Sequence, residues 1–155
     1  MFRLISVLTL AFAVLIPPAV CAMGGDEAPS PAVRTDPDYA AGKQAVDKKD
    51  WGRAIEALNK AAANDSRNAD IQNYLGYAYR NSGQMDLAFK HYEQALALNP
   101  KHRGAHEYVG EAYLMVNNLA KAEEHLAALD RLCTFKCEEY TELKEKIAAF
   151  KNKTK

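Results

Sequence analysis

A shift of 34 places lays this chain on itself. Gly42 falls on Gly76 and Gly76 on Gly110, and Ala54 falls on Ala88 and Ala122. Ala45, Tyr79 and Tyr113 share one place, Leu58, Tyr92 and Leu126 another, and Ala61, Ala95 and Leu129 a third. With glycine at ~7% of average residues, a chosen glycine finds two glycine partners by chance about once in 200 trials. The independent alanine triple makes coincidence a poor explanation. A period of this length marks a stack of one supersecondary unit, in which no unit buries its apolar faces alone.

Each unit reads as two helices. In the second, Gln72, Leu75 and Tyr79 recur at helical spacing, Asn81-Ser82-Gly83-Gln84 makes a turn, and Ala88, Tyr92, Ala95 and Leu96 form a second apolar stripe. Asn99-Pro100 stops that stripe, because the residue before proline is pushed out of the α region. Gly76 and Ala88 stand where the two helices of a hairpin cross, and larger side chains there would hold the backbones apart.

The set Leu75, Gly76, Tyr79, Ala88, Tyr92, Ala95 and Pro100 resembles the tetratricopeptide-repeat pattern, over residues 35–68, 69–102 and 103–136. The first repeat departs from it at Asp38, Ala41, Ala45 and Ser66, and the third at Asn117, Leu129 and Thr134, as terminal repeats do when one face meets solvent or a cap. The resemblance implies an all-α fold, an α-solenoid of three helix-turn-helix repeats closed by a C-terminal capping helix over 137–150. Tyr140, Leu143, Ile147 and Phe150 supply that helix's apolar stripe, opposite Glu138, Glu139, Glu142, Lys144, Glu145 and Lys146. The repeat domain is expected over 38–150, with residues 151–155 a disordered tail.

The N-terminal stretch reads differently. Arg3 precedes an apolar run of 13 residues, Leu4–Ile16, broken only by Ser6 and Thr9. Pro17-Pro18 ends any helix, and Val20-Cys21-Ala22 places small residues where a signal peptidase reads. At ~1.5 Å per residue the run spans about 20 Å, short of the ~30 Å bilayer core. Residues 1–22 are therefore expected to be a signal peptide cleaved after Ala22, giving a periplasmic or secreted protein with no membrane insertion after signal removal. Lipidation of Cys21 is not expected, because Pro18 and Val20 stand where that processing wants Leu and a small residue. Residues 23–37, with two glycines and three prolines, are too poor in apolar surface to fold and read as a flexible linker.

Arg3 is the only charge in 1–22, so 20 basic and 20 acidic side chains become 19 and 20. That balance gives no support for a nucleic-acid partner or an anionic membrane surface. The two remaining cysteines, Cys133 and Cys137, lie where the last repeat hands over to the cap. Cys133 is expected to end the last repeat's second helix and Cys137 to start the cap; on one continuous helix their Cα atoms would be about 6 Å apart, and across a tight turn as close, within disulfide range. A structural disulfide is the expectation, beside a redox-active or metal-binding pair and two free thiols. Zinc would need two further ligands, and His125, eight residues before Cys133, would lie about 12 Å away along a helix. His91 and His125 share a repeat place that reads as a solvated face of the second helix. The chain shows no catalytic triad spacing, no phosphate-binding glycine loop and no carboxylate pair in an apolar setting, so neither an enzyme nor a cofactor is expected.

The resemblance implies a concave groove lined by the first helix of each repeat. By position it takes Tyr39 and Lys43 from repeat one, Asn73, Tyr77, Arg80 and Asn81 from repeat two, and Glu107, Glu111, Leu114 and Met115 from repeat three, with Glu145 added by the cap. Cations would then gather toward its N-terminal half and carboxylates toward the other. Chaperone-binding relatives clamp a C-terminal carboxylate with Lys, Asn and Arg, a set not reproduced where Asn73, Tyr77, Glu107 and Glu111 stand. The expected function is a protein–protein interaction scaffold binding a peptide segment of a cell-envelope protein, with self-association through an exposed helix face as a further possibility. The competing reading is a periplasmic thiol-redox or copper-handling protein that uses Cys133 and Cys137.

Overall fold

The computed structural model describes residues 36–153. The expected signal peptide, 1–22, and nearly all of the expected linker, 23–37, lie outside the described residues. Among the described residues seven helices follow one another: α1 (Pro37–Asp47), α2 (Trp51–Asn64), α3 (Ala69–Asn81), α4 (Met85–Leu98), α5 (Arg103–Met115), α6 (Leu119–Leu132) and α7 (Glu138–Lys153). Among the described residues there is no strand, and no helix is long and apolar enough to cross a membrane. The fold is all-α: α1/α2, α3/α4 and α5/α6 are the three hairpins, and α7 packs on both α5 and α6.

Polar side chains mark the helix starts. Asp36 accepts from the amides of Asp38 and Tyr39 at 2.8 and 3.0 Å, and Pro37 occupies the first turn, where its missing N–H costs nothing. The helix thus begins one residue inside the expected linker. Asp50, Asn68, His102 and Asn118 cap α2, α3, α5 and α6 in the same manner. Each hairpin turn needs one left-handed residue, and the place recurs every 34 residues: Lys49 at φ 57°, Gly83 at 83° and Asn117 at 59°. Glycine takes that conformation freely and asparagine tolerates it, whereas lysine adopts it against its Cβ.

The close helix crossings lie where the repeat places its glycines. A Cβ on Gly42 would come within 2.6 Å of Leu58, and one on Gly76 within 2.6 Å of the Tyr92 ring. In the third repeat the crossing partner changes. A Cβ on Gly110 would meet Leu143 of α7 at 2.6 Å, so the cap takes the place that the second helix of the same hairpin takes through Leu58 and Tyr92 in the first two repeats. Three apolar clusters follow along the stack, centred on Leu58 with Leu75, on Tyr92 with Val109, and on Leu129 with Leu143 and Ile147.

Two boundary expectations change. The capping helix does not end at 150 but continues to Lys153, and Lys151 bonds Glu123 of α6 at 2.6 Å, which holds the extra turn down. At its other end the cap begins at Glu138, one residue later than expected: Cys133 caps α6, Cys137 immediately precedes α7, and the tight bend between them brings their Cα atoms to 5.7 Å and pairs the two sulfurs.

Candidate functional site

The first helices of the repeats, α1, α3 and α5, expose one face each to a common groove that α7 closes on its far side. Four tyrosines run along it. Tyr39 and Tyr74 meet edge to face at 5.9 Å and Tyr77 and Tyr108 lie tilted at 4.8 Å, with Trp51 edge-on to Tyr77 at 6.0 Å. Lys43 lies over the first ring pair, its Nζ 5.6 and 5.5 Å from the centroids, and Arg80 over the second, at 5.0 and 5.6 Å. Cations are held there by the negative faces of the rings.

Arg80 is a buried strut. Its guanidinium donates to the Tyr108 carbonyl at 3.0 Å and to the Glu111 carboxylate at 2.6 Å. The other Glu111 oxygen takes the ammonium of Lys146 from α7. The expected cationic half of the groove is thereby corrected: Arg80 is only 6% exposed and its charge is offset within the wall.

Glu107, also 6% exposed, is the most perturbed acid of the groove. Burial, above all, pushes its pKa up to about 8, and a hydrogen bond to Glu142 and the charges of Glu142 and Glu111 add to this, partly offset by Lys146. At neutral pH Glu107 therefore keeps its proton, facing Glu142. Carboxyl oxygens of Glu107, Glu111 and Glu142 lie within 4.8 Å of one another. Nearby, Asn73 is 4% exposed and its Oδ1 has no hydrogen-bond partner. His102 caps α5 through Nδ1 and holds its Nε2 2.9 Å from the Asp70 carboxylate.

Two adjoining cavities occupy the groove. One, of about 500 Å³, is walled by Tyr77, Arg80, Asn81, Glu111, Leu114 and Met115. The other, of about 460 Å³, is walled by Tyr39, Lys43, Asn73, Tyr74, Glu138 and Glu139. Glu107, Tyr108 and Glu142 belong to both. The structure thus brings the nine residues Tyr39, Lys43, Asn73, Tyr77, Arg80, Asn81, Glu107, Glu111 and Met115 onto one surface, together with Leu114.

Sequence reasoning missed Tyr74, Tyr108, Glu142 and Lys146. Tyr74 and Tyr108 are 34 apart, a signal the register carried. Glu142 and Lys146 carry no repeat signal, and Glu145, expected from the cap, is absent from both cavity walls.

The histidines correct another expectation. His91 is half-buried, bonds Gln72 at 2.8 Å and stacks on Tyr79. One repeat later His125 meets His106 at 2.9 Å and stacks on Tyr113, while His106 reaches the Pro100 carbonyl at 3.0 Å. The face is a packed seam because its rings cover one another. Burial lowers the pKa of all three, that of His125 to about 4. Among the described residues, neither cysteine belongs to a group of three metal-ligating side chains.

Two family models described as tetratricopeptide repeat match residues 69–102 and 90–135. Among curated proteins, the human protein O-mannosyl-transferase TMTC3 is 32% identical over 75 residues, covering 48% of this chain and 8% of that protein. The uncharacterized protein ycf37 of Pyropia yezoensis is 32% identical over 107 residues, 63% of this chain and 60% of that protein. The chain thus spans less than two thirds of either relative's length.

Among solved structures, the Yersinia enterocolitica type III secretion translocator chaperone SycD superposes with a TM-score of 0.67 at 22% identity, covering 76% of this chain and 83% of SycD. SycD in complex with a peptide of the translocator YopD gives 0.64 at 22%, covering 76% and 92%. The first such domain of Spaghetti (RPAP3), bound to the HSP90 peptide SRMEEVD, gives 0.64 at 21%, covering 72% and 88%. These likenesses concern the fold.

Proposed function

We propose that this chain, which belongs to the tetratricopeptide-repeat family, is a protein–protein interaction scaffold whose groove holds a peptide segment of a cell-envelope protein. One observation carries the reading: side chains from α1, α3 and α5, spaced by the repeat, line two cavities that share Glu107, Tyr108 and Glu142. An extended strand needs such a run of aromatic walls and unpaired polar groups, and Asn73 Oδ1 is an acceptor without a donor. The SycD and Spaghetti domains named above hold peptides on the same fold, which supports the reading by analogy.

The location belongs to the same proposal. The apolar run and Val20-Cys21-Ala22 support export and a mature N-terminus at Met23, and an oxidising compartment would preserve the Cys133–Cys137 bridge. Fractionation of the tagged full chain with N-terminal sequencing should find Met23 first, in the periplasm or medium. An intact Met1 in the cytoplasm would refute export.

The groove itself is tested by comparing proteins captured from envelope extract by the wild type and by Tyr77→Ala with Met115→Ala. At least one partner should be lost from the double variant. Identical partner lists would sink the reading. Arg80→Glu is a poor choice for this purpose, since it sets two carboxylates side by side in the wall and tests folding instead.

A further inference from the structure

We propose that the segment held in this groove is cationic, with a Lys or Arg side chain seated between Glu107 and Glu142 and an adjoining backbone N–H donating to Asn73. The proposal rests on the groove reading above and names the chemistry of its occupant.

The charge of the walls points this way. Asp70, Glu107, Glu111, Glu138, Glu139 and Glu142 face the cavities, against three formal cations, Lys43, Arg80 and Lys146. Every one of those cations is engaged. Arg80 and Lys146 share Glu111, and Lys43 lies over two tyrosine rings. Asp70 has His102 at 2.9 Å and Glu139 has Arg103 at 3.4 Å. What remains without a formal cation is Asp70, which faces only the His102 ring, the exposed Glu138, and Glu107 with Glu142, a pair whose carboxyl oxygens lie within 4.8 Å of one another; of these, Glu107 with Glu142 is the pair both cavities share. A carboxylate brought to this place would meet like charge with no free cation, whereas an ammonium or guanidinium would replace the proton and satisfy both acids.

The Asn73 amide oxygen is a second and independent observation. Asn73 lines a cavity to which Glu107 and Glu142 belong, is 4% exposed as a residue, and its buried Oδ1 has no donor. A buried acceptor left open costs free energy until a donor arrives, and the main chain of an extended segment offers one beside every side chain. The Tyr108 ring lines both cavities and gives a face for the incoming cation. Beyond it the groove opens on Leu114 and on Met115, which is 59% exposed, so apolar side chains suit the places next to the cation.

A metal ion is the weaker occupant of the same acids. Both Glu111 oxygens are already taken by Arg80 and Lys146. That leaves two carboxylates, where a hard divalent cation wants about six oxygen ligands.

The groups around Glu107 give the proposal a further readout. Glu111 stands on its own helix, Glu142 and Lys146 face it from α7, and Arg80 and Tyr77 line the same cavity from α3. Since the cation displaces a proton, affinity should rise with pH as Glu107 titrates near 8 and should fall with added salt.

The test uses the folded full chain and three libraries of acetylated, amidated peptides of about 12 residues, matched in apolar content and rich in Lys, Gln or Glu. Capture from the Lys library should exceed capture from the Gln library about ten-fold. Glu142→Lys should reverse the order, and Glu107→Gln with Glu142→Gln should abolish it. Glu142 is exposed, and Glu107→Gln keeps the neutral shape that burial already favours, so these variants fold, which circular dichroism checks.

Groove-dependent capture, lost on Tyr77→Ala with Met115→Ala, but without a Lys preference overturns the cationic occupant and leaves the groove reading intact. Failure of all three libraries to bind in a groove-dependent way overturns both. Self-association that Glu142→Lys dissolves makes a second copy the occupant and also overturns the proposal.

Discussion

Helices α3 and α5 each have two polar faces, and they behave in opposite ways. On the side toward α4 and α6 the pattern repeats: Gln72, Tyr79 and His91 return as His106, Tyr113 and His125, with hydrogen bonds of 2.8 and 2.9 Å and a stacked ring in each case. On the groove side the register mates differ. Asn73 is answered by Glu107 and Tyr77 by Glu111, and there polar atoms lack partners and burial raises the pKa of Glu107. The seam closes its own interactions and so specifies the stack. The groove leaves some of its interactions open, which suits a surface whose remaining partner comes from outside.

That contrast is broken most directly at Tyr92, which is fully buried against Gly76. Tyr92→Ala should cost about 3–5 kcal/mol in urea or guanidinium unfolding, while Glu142→Lys on the groove should stay within about 0.5 kcal/mol. Equal losses would erase the distinction between the faces. Next in size is Arg80→Met, which leaves Glu111 buried beside Lys146 alone and should cost about 3 kcal/mol. Adding Glu111→Leu should recover most of that loss, whereas additive losses would deny that Arg80 and Glu111 form one strut.

The seam histidines predict a pH dependence. Folding lowers the pKa of His91 and His106, and that of His125 to about 4, below the ~6.5 of an unfolded chain. The unfolded state therefore binds more protons between those values, so Tm should fall as pH drops from about 6.5 toward 4. His125→Gln with His106→Gln should flatten that slope in thermal scans. The smallest effect sits at the first hairpin turn. Lys49→Gly relieves the left-handed strain that Gly83 avoids and should add about 1 kcal/mol, read as a higher denaturation midpoint.

Much of the architecture was legible in the chain. Gly42, Gly76 and Gly110 announced the crossings, and the nine groove residues followed from their places in the repeat. Tyr74 and Tyr108 were equally legible, being register mates. Glu142 and Lys146 were not, because α7 repeats nothing. His91 and His125 were misread as solvated, since a shared repeat place says which face a residue is on and not what packs over it.

By itself, then, the sequence determined the hairpins, their order and which face of each helix looks inward, because helical periodicity and the small residues at crossings are local properties. Only the tertiary structure decided what the groove carries. Arg80 finds Glu111 31 residues away, Glu107 finds Glu142 35 residues away, and Gly110 closes on Leu143 of the cap. Charge, protonation and burial depend on how closely separate helices approach, and in this chain that approach turned an expected cationic half into a wall of spoken-for cations around two neighbouring acids.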